Sequence, residues 1–244
     1  MDNYILETRN LTKIYKGRTV VDSVSINALR GKVTGLLGPN GAGKTTCFYM
    51  IAGLVKPENG RVVLNQTDIT KLPIHKRAKL GLGYLSQEPS IFRKLSVRDN
   101  LLGVLQTLKI SRKERQNKLE ESLQEFGLEK VVNQKAVTLS GGERRRLEIA
   151  RVLITNPNLI LLDEPFSGID PKAVYDIQQE VLKLREKGIS VLITDHNVRE
   201  TLKISDYSYI MNEGKLLCSG TPEEIKNNES ARENYFGYLF HEPE

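Results

Sequence analysis

Short apolar runs alternate with amphipathic segments along most of the chain. Residues 5–9 and 20–29 alternate apolar and polar positions, as half-buried strands do. More continuous apolar runs predict further strands at 33–37, 61–64, 159–162 and 191–194. Helices are predicted at 44–54, 141–154 and 171–187. An alternation of strands and helices favours a parallel sheet of the α/β class.

Residues from about 88 to 138 interrupt this alternation. Within that stretch, Leu119, Leu123 and Phe126 are spaced so that they share one face of a helix. We therefore predict a helical subdomain at about 88–138, inserted into a sheet domain formed by the rest of the chain. A length of 244 residues is sufficient for a substantial hydrophobic core.

The composition excludes several classes of protein. With 39% hydrophobic and 27% charged residues, the chain is neither collagen-like nor a disordered tail. No apolar run approaches the roughly 18 residues of a membrane-spanning helix, and the first residues lack the layout of a signal peptide. Cys47 and Cys218 are too few for a disulfide framework and lack metal-ligand spacing. We therefore expect a cytosolic protein.

The net charge is +6, from 36 basic and 30 acidic residues. Such a charge could suit nucleic acid, an anionic membrane or nucleotide phosphates. The basic residues are spread among acidic ones, as in Arg112-Lys113-Glu114-Arg115, and no basic stripe with interleaved aromatic residues is present. This pattern favours a mixed solvated surface, and we expect no nucleic-acid partner.

Residues 38–45 match the phosphate-loop pattern G-x-x-x-x-G-K-[ST], between a predicted strand and a predicted helix. Glycines allow backbone N–H groups to curl around phosphate oxygens, and the helix start adds a positive dipole. Lys44 can reach the β- and γ-phosphates, and the Thr45 hydroxyl can hold Mg²⁺. A glycine-rich turn that carries a lysine by chance is the alternative, and the flanking elements argue against it. The predicted nucleotide-binding residues here are Gly38, Pro39, Asn40, Gly41, Ala42, Gly43, Lys44, Thr45 and Thr46.

The apolar run at 159–162 ends in two acids, Asp163 and Glu164. Asp163 is placed at a strand end, where it can hold Mg²⁺ directly or through water. Glu164 can polarise the attacking water. An exposed acidic turn is the alternative, since Pro165 follows at once. The presence of the phosphate loop favours the catalytic interpretation.

A second helix start has the features of an anion site. Ser140 and Glu143 have the spacing of a capping box, so a well-capped helix is one interpretation. Gly141 and Gly142 weaken a helix, however, and an anion that approaches bare backbone would explain them. A γ-phosphate is the obvious candidate.

Residues 139–143, Leu-Ser-Gly-Gly-Glu, resemble the signature motif of the ATP-binding cassette family, with Glu143 where most members carry glutamine. Other motifs of that family follow in order: Tyr15 matches the aromatic residue that stacks on adenine, Gln87 the glutamine loop, residues 167–170 the D-loop and His196 the switch histidine. The resemblance implies a P-loop NTPase core with a parallel sheet, an N-terminal antiparallel β portion and an inserted helical subdomain. The RecA-like core would then comprise residues 1–87 and 139–244.

The same resemblance implies an ATPase with ATP and Mg²⁺ as cofactors. Glu164, His196 and Gln87 would be catalytic, and Thr45, Gln87 and Asp163 would hold the metal. It also implies a head-to-tail homodimer. In that dimer the phosphate loop of one subunit and the signature helix of the other enclose each ATP.

Four segments closely resemble the ATP-binding subunits of lipopolysaccharide export systems; they are residues 72–78, 90–97, 139–151 and 193–202. The tail Tyr238-Leu239-Phe240 resembles their C-terminal segment only loosely. This resemblance implies a homodimer on the cytoplasmic face of the inner membrane, beneath two permease subunits, that powers lipopolysaccharide extraction toward the outer membrane. Lipopolysaccharide would contact the chain only indirectly.

Two other functions stay open. One is the ATP-binding subunit of a branched-chain amino-acid importer, which shares the core motifs; residues 92–93 and 196–202 favour the exporter. The other is a soluble cassette protein that acts on ribosomes or DNA. Proteins of that kind usually have two cassettes or a long coiled-coil insertion, and this chain shows neither.

Phe92 and Arg93 are candidates for coupling to a partner. The apolar residues around them fit no clean helical or strand period. Phe92 could pack in the core with Arg93 solvated. Alternatively, both residues line a groove that receives a short cytoplasmic helix of the permease, where an aromatic anchor and an arginine are typical hot spots. Gln87, just before them, would then link the γ-phosphate to the groove.

Overall fold

The computed structural model describes residues 3–88 and 90–233. By its contacts the chain divides into two compact units, a larger one comprising Met1–Leu82 and Asn158–Glu244 and a smaller one comprising Gly83–Pro157. The smaller unit is wider than the predicted insertion because it also includes the helix that begins at Gly141. The functional boundaries of the helical subdomain stay a prediction. The tail triplet at 238–240 lies outside the described residues.

The order of elements along the chain is mixed α/β. The first are β1 (Tyr4–Tyr15), β2 (Arg18–Val24), β3 (Asn27–Leu29), β4 (Val33–Leu37), α1 (Lys44–Ala52), β5 (Asn59–Leu64), β6 (Thr67–Asp68) and α2 (Ile74–Lys79). Next come β7 (Leu82–Leu85), α3 (Val97–Leu105), α4 (Arg112–Glu125), two 3₁₀ turns (Glu129–Val131 and Ala136–Thr138) and α5 (Gly141–Leu153). The last are β8 (Leu159–Asp163), α6 (Pro171–Glu186), β9 (Ser190–Asp195), α7 (Val198–Leu202), β10 (Tyr207–Asn212), β11 (Lys215–Gly220), α8 (Pro222–Asn227) and α9 (Glu229–Ala231).

The N-terminal strands form an antiparallel sheet in the larger unit. Its order is β2-β1-β5-β6, and β3 also pairs with β1. The apolar and polar alternation predicted at 20–29 is divided between β2 and β3, which are separated by residues 25–26. The antiparallel N-terminal portion expected from the family resemblance is confirmed.

Five other strands of the larger unit lie side by side in the order β11-β10-β4-β9-β8. The pairs β10–β4, β4–β9 and β9–β8 are parallel, and every residue of β4, β8 and β9 is buried. Strands that are buried on both faces require continuous apolar sequence, which is the pattern that predicted them. In the register of these strands, Leu37 lies opposite Asp195 and Asp163 opposite Thr194. The phosphate loop, the acid pair and the predicted switch histidine therefore all leave the same edge of the sheet.

Helix α1 is capped at its C-terminal end by a buried arginine. The guanidinium of Arg77, which is 1% exposed, donates to the carbonyls of Met50 at 2.7 Å and Ile51 at 2.6 Å, near the end of α1. It also donates to the carbonyls of Leu72 and Thr70. The last carbonyls of a helix have no partner within the helix, so these bonds satisfy them. Burial lowers the pKa of Arg77 to about 10.

The smaller unit has a hydrophobic core of its own. The predicted helical face is confirmed, since Leu119 and Leu123 are buried in this core and Phe126 packs against it. The buried members of the core are Ile91, Val97, Leu101, Leu105, Leu119, Leu123, Leu128, Val131, Ala136, Leu139, Leu147, Ala150 and Ile154. In either unit, none of the helices that the structure describes has the length and apolar character to cross a membrane.

Candidate nucleotide site

The phosphate loop connects β4 to α1, and the presence of glycine in it has two different explanations. Gly38 (φ 152°) and Gly43 (φ 96°) are required by the fold, because a Cβ at either position would collide with a backbone carbonyl, that of Met211 or Val20 respectively. A Cβ at Gly41 (φ 82°) would meet nothing within 4 Å. The middle of the loop therefore has room for a ligand, while Gly38 packs against Met211 of β10 and Gly43 against Val20 of β2.

Lys44 holds its ammonium inside this loop. The residue is only 3% exposed, and Nζ donates to the carbonyls of Gly38 at 2.7 Å and Pro39 at 2.9 Å. Burial lowers the pKa of Lys44, and the nearby carboxylates of Glu164 and Asp195 oppose that shift. Lys44 therefore brings the phosphate loop close to the carboxylates of Glu164 and Asp195 at the edge of the sheet.

Glu164 has a strained backbone directly after β8. Its φ is 43°, a left-handed conformation that costs a residue with a Cβ about 1 kcal/mol or more. The backbone N–H of Glu164 donates to the Thr194 carbonyl at 2.8 Å, and the Glu164 carbonyl accepts from Ser167 N–H at 3.2 Å. Asp163, the last residue of β8, is 4% exposed. Strain at a single residue that follows a buried acid is typical of a functional site.

His196 lies between two carboxylates of the larger unit. Its Nδ1 is 3.7 Å from Oε2 of Glu164 and 3.6 Å from Oδ1 of Asp195. The His196 side chain is 42% exposed, whereas that of Glu164 is 17% exposed. The imidazole can therefore reach both Glu164 and a ligand at the surface of this edge.

Asp195 fastens the two loops that carry these side chains. Its buried carboxylate accepts from the backbone N–H of Phe166 at 2.9 Å and of Asn197 at 2.8 Å. Burial raises the pKa of Asp195, while these two hydrogen bonds act in the opposite direction. The sequence analysis did not single out Asp195. An acid at the buried end of a strand, directly before a candidate histidine, was the signal that could have identified it.

A cavity of about 440 Å³ lies beside the phosphate loop in the larger unit. It is lined by Arg18, Thr19, Val20, Pro39, Asn40, Gly41, Ala42, Asn212, Glu213 and Gly214. This volume is in the range of small-ligand sites. Tyr15, the predicted adenine-stacking residue, ends β1 just before the first lining residues and is 44% exposed.

The signature residues belong to the smaller unit, as does Gln87. The predicted capping box is present: the Ser140 hydroxyl accepts from Glu143 N–H, and Glu143 Oε2 accepts from Ser140 N–H at 2.9 Å. The hydrogen bond from the Ser140 side chain lowers the pKa of Glu143. A Cβ at Gly141 would meet nothing within 4 Å, so packing within the chain does not require this glycine. The backbone at the start of α5 is therefore open at Gly141.

A sequence profile of the ABC transporter family matches residues 21–167, which include the phosphate loop, the acid pair and the signature motif. The chain belongs to the ABC transporter family. ATP binding and ATP hydrolysis follow from this membership.

Individual relatives agree with the family assignment. The chain is 54% identical over 236 residues to the lipopolysaccharide export system ATP-binding protein LptB of Acidithiobacillus ferridurans, and the match covers 97% of this chain and 98% of that protein. It resembles the ADP conformation of MJ1267, an ATP-binding cassette of an ABC transporter, with a TM-score of 0.84, 31% identity and coverage of 96% and 99%. It also resembles a dimeric post-hydrolysis state of the ATP-binding cassette MJ0796 bound to ADP and Pi, with a TM-score of 0.75, 27% identity and coverage of 89% and 98%.

Proposed function

We propose that this ABC ATPase powers lipopolysaccharide export. The observation that carries the catalytic part is the convergence of Lys44, Glu164 and His196 at one edge of the parallel sheet. The cargo rests on similarity along nearly the whole chain to an ATP-binding protein of a lipopolysaccharide export system. Under this proposal the chain works at the cytoplasmic face of the inner membrane and contacts lipopolysaccharide only through its partners.

In this mechanism Glu164 orients and deprotonates the attacking water. The strained backbone of Glu164 and the hydrogen bond from its N–H to the Thr194 carbonyl support this role, because both hold the residue at the edge of the sheet. His196 holds the water and a γ-phosphate oxygen in line, and Lys44 neutralises the charge that develops on the phosphates. Asp195 acts on both loops by positioning their backbone, without contact to the substrate.

The same edge fits Mg²⁺. No cluster of three or more His, Cys, Asp or Glu residues suited to a metal lies within residues 3–88 and 90–233. A phosphate-bound Mg²⁺ needs no such cluster, because a hydroxyl, one carboxylate and phosphate oxygens suffice. Thr45, exposed at the start of α1, and the buried Asp163 would supply the hydroxyl and the carboxylate of this donor set. The ion would withdraw charge from the transferred phosphoryl group.

We also propose a head-to-tail homodimer. The start of α5 carries backbone N–H groups that Gly141 leaves bare, together with Ser140, Gly142 and Glu143. Such a helix start attracts a phosphate, and in the dimer it would face the phosphate loop of the partner subunit. A similar cassette is dimeric in its post-hydrolysis state.

Phe92 and Arg93 would couple the ATPase to the permease. Phe92 is 53% exposed, although its ring lies 4.7 Å from the guanidinium carbon of Arg151. Leu95 and Val137 are also exposed. Both lie close to Phe92 and Arg93, because Leu95 N–H donates to the Phe92 carbonyl and Val137 N–H donates to the Arg93 carbonyl. We name Phe92, Leu95 and Val137 the docking patch. An exposed apolar patch of this kind suits the apolar face of a short permease helix, and Arg93 would pair with an acidic residue of that helix.

The test is depletion of the protein in the bacterium that produces it. Newly made lipopolysaccharide should accumulate in the inner membrane, and wild-type protein but not Glu164→Gln should restore its arrival at the surface. Uptake of branched-chain amino acids should not change. If uptake falls while lipopolysaccharide export continues, the importer interpretation is correct. Recovery of the tagged protein with ribosomes instead of membrane subunits would favour the soluble cassette class.

A further inference from the structure

Lys13 is fastened over one face of the Tyr15 ring. Its ammonium lies 5.1 Å from the ring centroid. The same ammonium donates to the Lys56 carbonyl at 2.9 Å and to the Glu58 carboxylate at 3.0 Å. The Lys13 side chain is only 12% exposed. A surface lysine normally keeps its ammonium in water, so these three simultaneous contacts indicate that the Lys13 ammonium is held in one position by the protein.

Glu58 holds this arrangement from the neighbouring segment. Its backbone N–H donates to the Thr12 carbonyl at 2.9 Å, and its Oε2 accepts from Ile14 N–H at 3.4 Å. The hydrogen bond from Lys13 lowers the pKa of Glu58, so the carboxylate is ionised at neutral pH. The register of β1 changes on both sides of Lys13, where this irregular part of the strand meets Glu58. The cation, the carboxylate and the end of β1 are thus one connected group.

We propose that Lys13 is a positioning residue for the adenine of ATP. It holds the Tyr15 ring with one face against the ammonium and presents the other face to the base. This inference rests on the stacking role of Tyr15 in the proposed function. A cation over one ring face is attractive in its own right, and a ring that is already ordered loses less freedom when a base stacks on it. Lys13 should therefore affect the nucleoside part of the ligand and not its phosphates.

The experiment compares ATP with inorganic tripolyphosphate, which has no base. We measure the dissociation constants of both by competition against a fluorescent ATP analogue, using the full chain. Lys13→Met should weaken ATP binding about fivefold and leave tripolyphosphate binding within about twofold. KM for ATP should rise in parallel while kcat changes little. Lys13→Arg should restore most of the ATP affinity, since a guanidinium also stacks on an aromatic face.

Two controls separate this role from simple charge or folding effects. Lys16→Met removes the same charge from an exposed position next to Tyr15 and should leave the ratio of ATP to tripolyphosphate affinity unchanged. In a Tyr15→Leu background, Lys13→Met should cause no further loss of ATP affinity. An equal loss for both ligands, or a full further loss in that background, overturns the inference.

The Tyr15→Leu variant also distinguishes the two proposals. If it weakens ATP binding while Lys13→Met does not, only the role of Lys13 is wrong. If Tyr15→Leu leaves ATP affinity unchanged, the stacking role of Tyr15 is wrong, and the role of Lys13 falls with it.

Discussion

The loop after β8 carries the proposed catalytic residue Glu164, and we call residues 164–170 the catalytic loop. The loop before α3 carries the proposed interface anchor Phe92, and we call residues 90–96 the docking loop. Each loop is held by one buried polar residue. In the first, Glu164 has a φ of 43°, and the Asp195 carboxylate accepts from the Phe166 N–H of this loop and from the Asn197 N–H of the loop after β9. In the second, the fully buried Asn100 amide accepts from Phe92 N–H at 2.9 Å and donates to the carbonyls of Phe92 at 3.0 Å and Ser96 at 2.9 Å.

The difference lies in charge and strain. The catalytic loop contains a left-handed glutamate and is anchored by the carboxylate of Asp195 in β9, whose pKa is raised by burial. The docking loop uses a neutral amide, and its aromatic residue stays exposed. A buried charge and local strain suit a site where charge develops during a reaction. A neutral anchor suits a surface that must keep its shape until a partner binds. Substitutions in the first loop should therefore change chemistry, and those in the second should change assembly.

The largest effect should follow from Glu164→Gln. Loss of the base should reduce ATP turnover about a hundredfold or more, while ATP binding persists because Lys44 and the loop are intact. With ATP, the variant should elute as a closed dimer in size-exclusion chromatography. Phosphate release measures turnover, and Glu186→Gln, an exposed acid at the end of α6, is the control. Turnover near that of the wild type would exclude Glu164 as the catalytic carboxylate.

His196→Ala should have the next largest effect. Without the imidazole beside Glu164, the attacking water is no longer held, and we expect a loss of about fiftyfold or more in kcat. Nucleotide affinity should fall little. His75→Ala, an exposed histidine of α2, should keep full activity. A His196→Ala protein that cannot bind ATP would instead indicate a structural histidine.

Phe92→Ala tests the docking loop. Removal of an interface anchor should weaken co-purification with the permeases by about thirtyfold, which corresponds to a hot spot of about 2 kcal/mol. The melting temperature and ATPase activity of the isolated subunit should hardly change, because the side chain is 53% exposed. Tyr175→Ala, 58% exposed on α6, is the matched control. Unfolding of the Phe92 variant, or undiminished co-purification, would place the coupling surface elsewhere.

Asn100→Ala should have the smallest effect on function but a clear effect on folding. It leaves backbone groups of the loop without partners, and we expect the free energy of unfolding to fall by about 2 kcal/mol. Permease binding should weaken less than in Phe92→Ala, since the aromatic anchor remains. Denaturant unfolding of Asn100→Ala beside Asn117→Ala, an exposed asparagine of α4, measures the difference. Equal stability of the two variants would show that Asn100 does not hold the loop.

Local sequence was sufficient to predict those elements whose physical cause lies within a single segment of the chain. The runs at 33–37 and 159–162 are apolar throughout because both faces of these strands are buried, so their positions could be predicted to within a residue. The capping box of Ser140 and Glu143 is likewise a contact between residues three apart. The helices after residue 197 were not predicted, because α7, α8 and α9 are too short to show a period.

The sequence by itself determined the family, the phosphate loop and the order of the motifs, because these depend on residue types at fixed spacing. Only the tertiary structure decided that Gly38 and Gly43 are required by the carbonyls of Met211 and Val20. It also decided that Asp195 fastens the catalytic loop and that Phe92 is exposed. These features depend on backbone groups that are far apart in the chain and are brought together by strand pairing. A local pattern of side chains does not predict such long-range contacts.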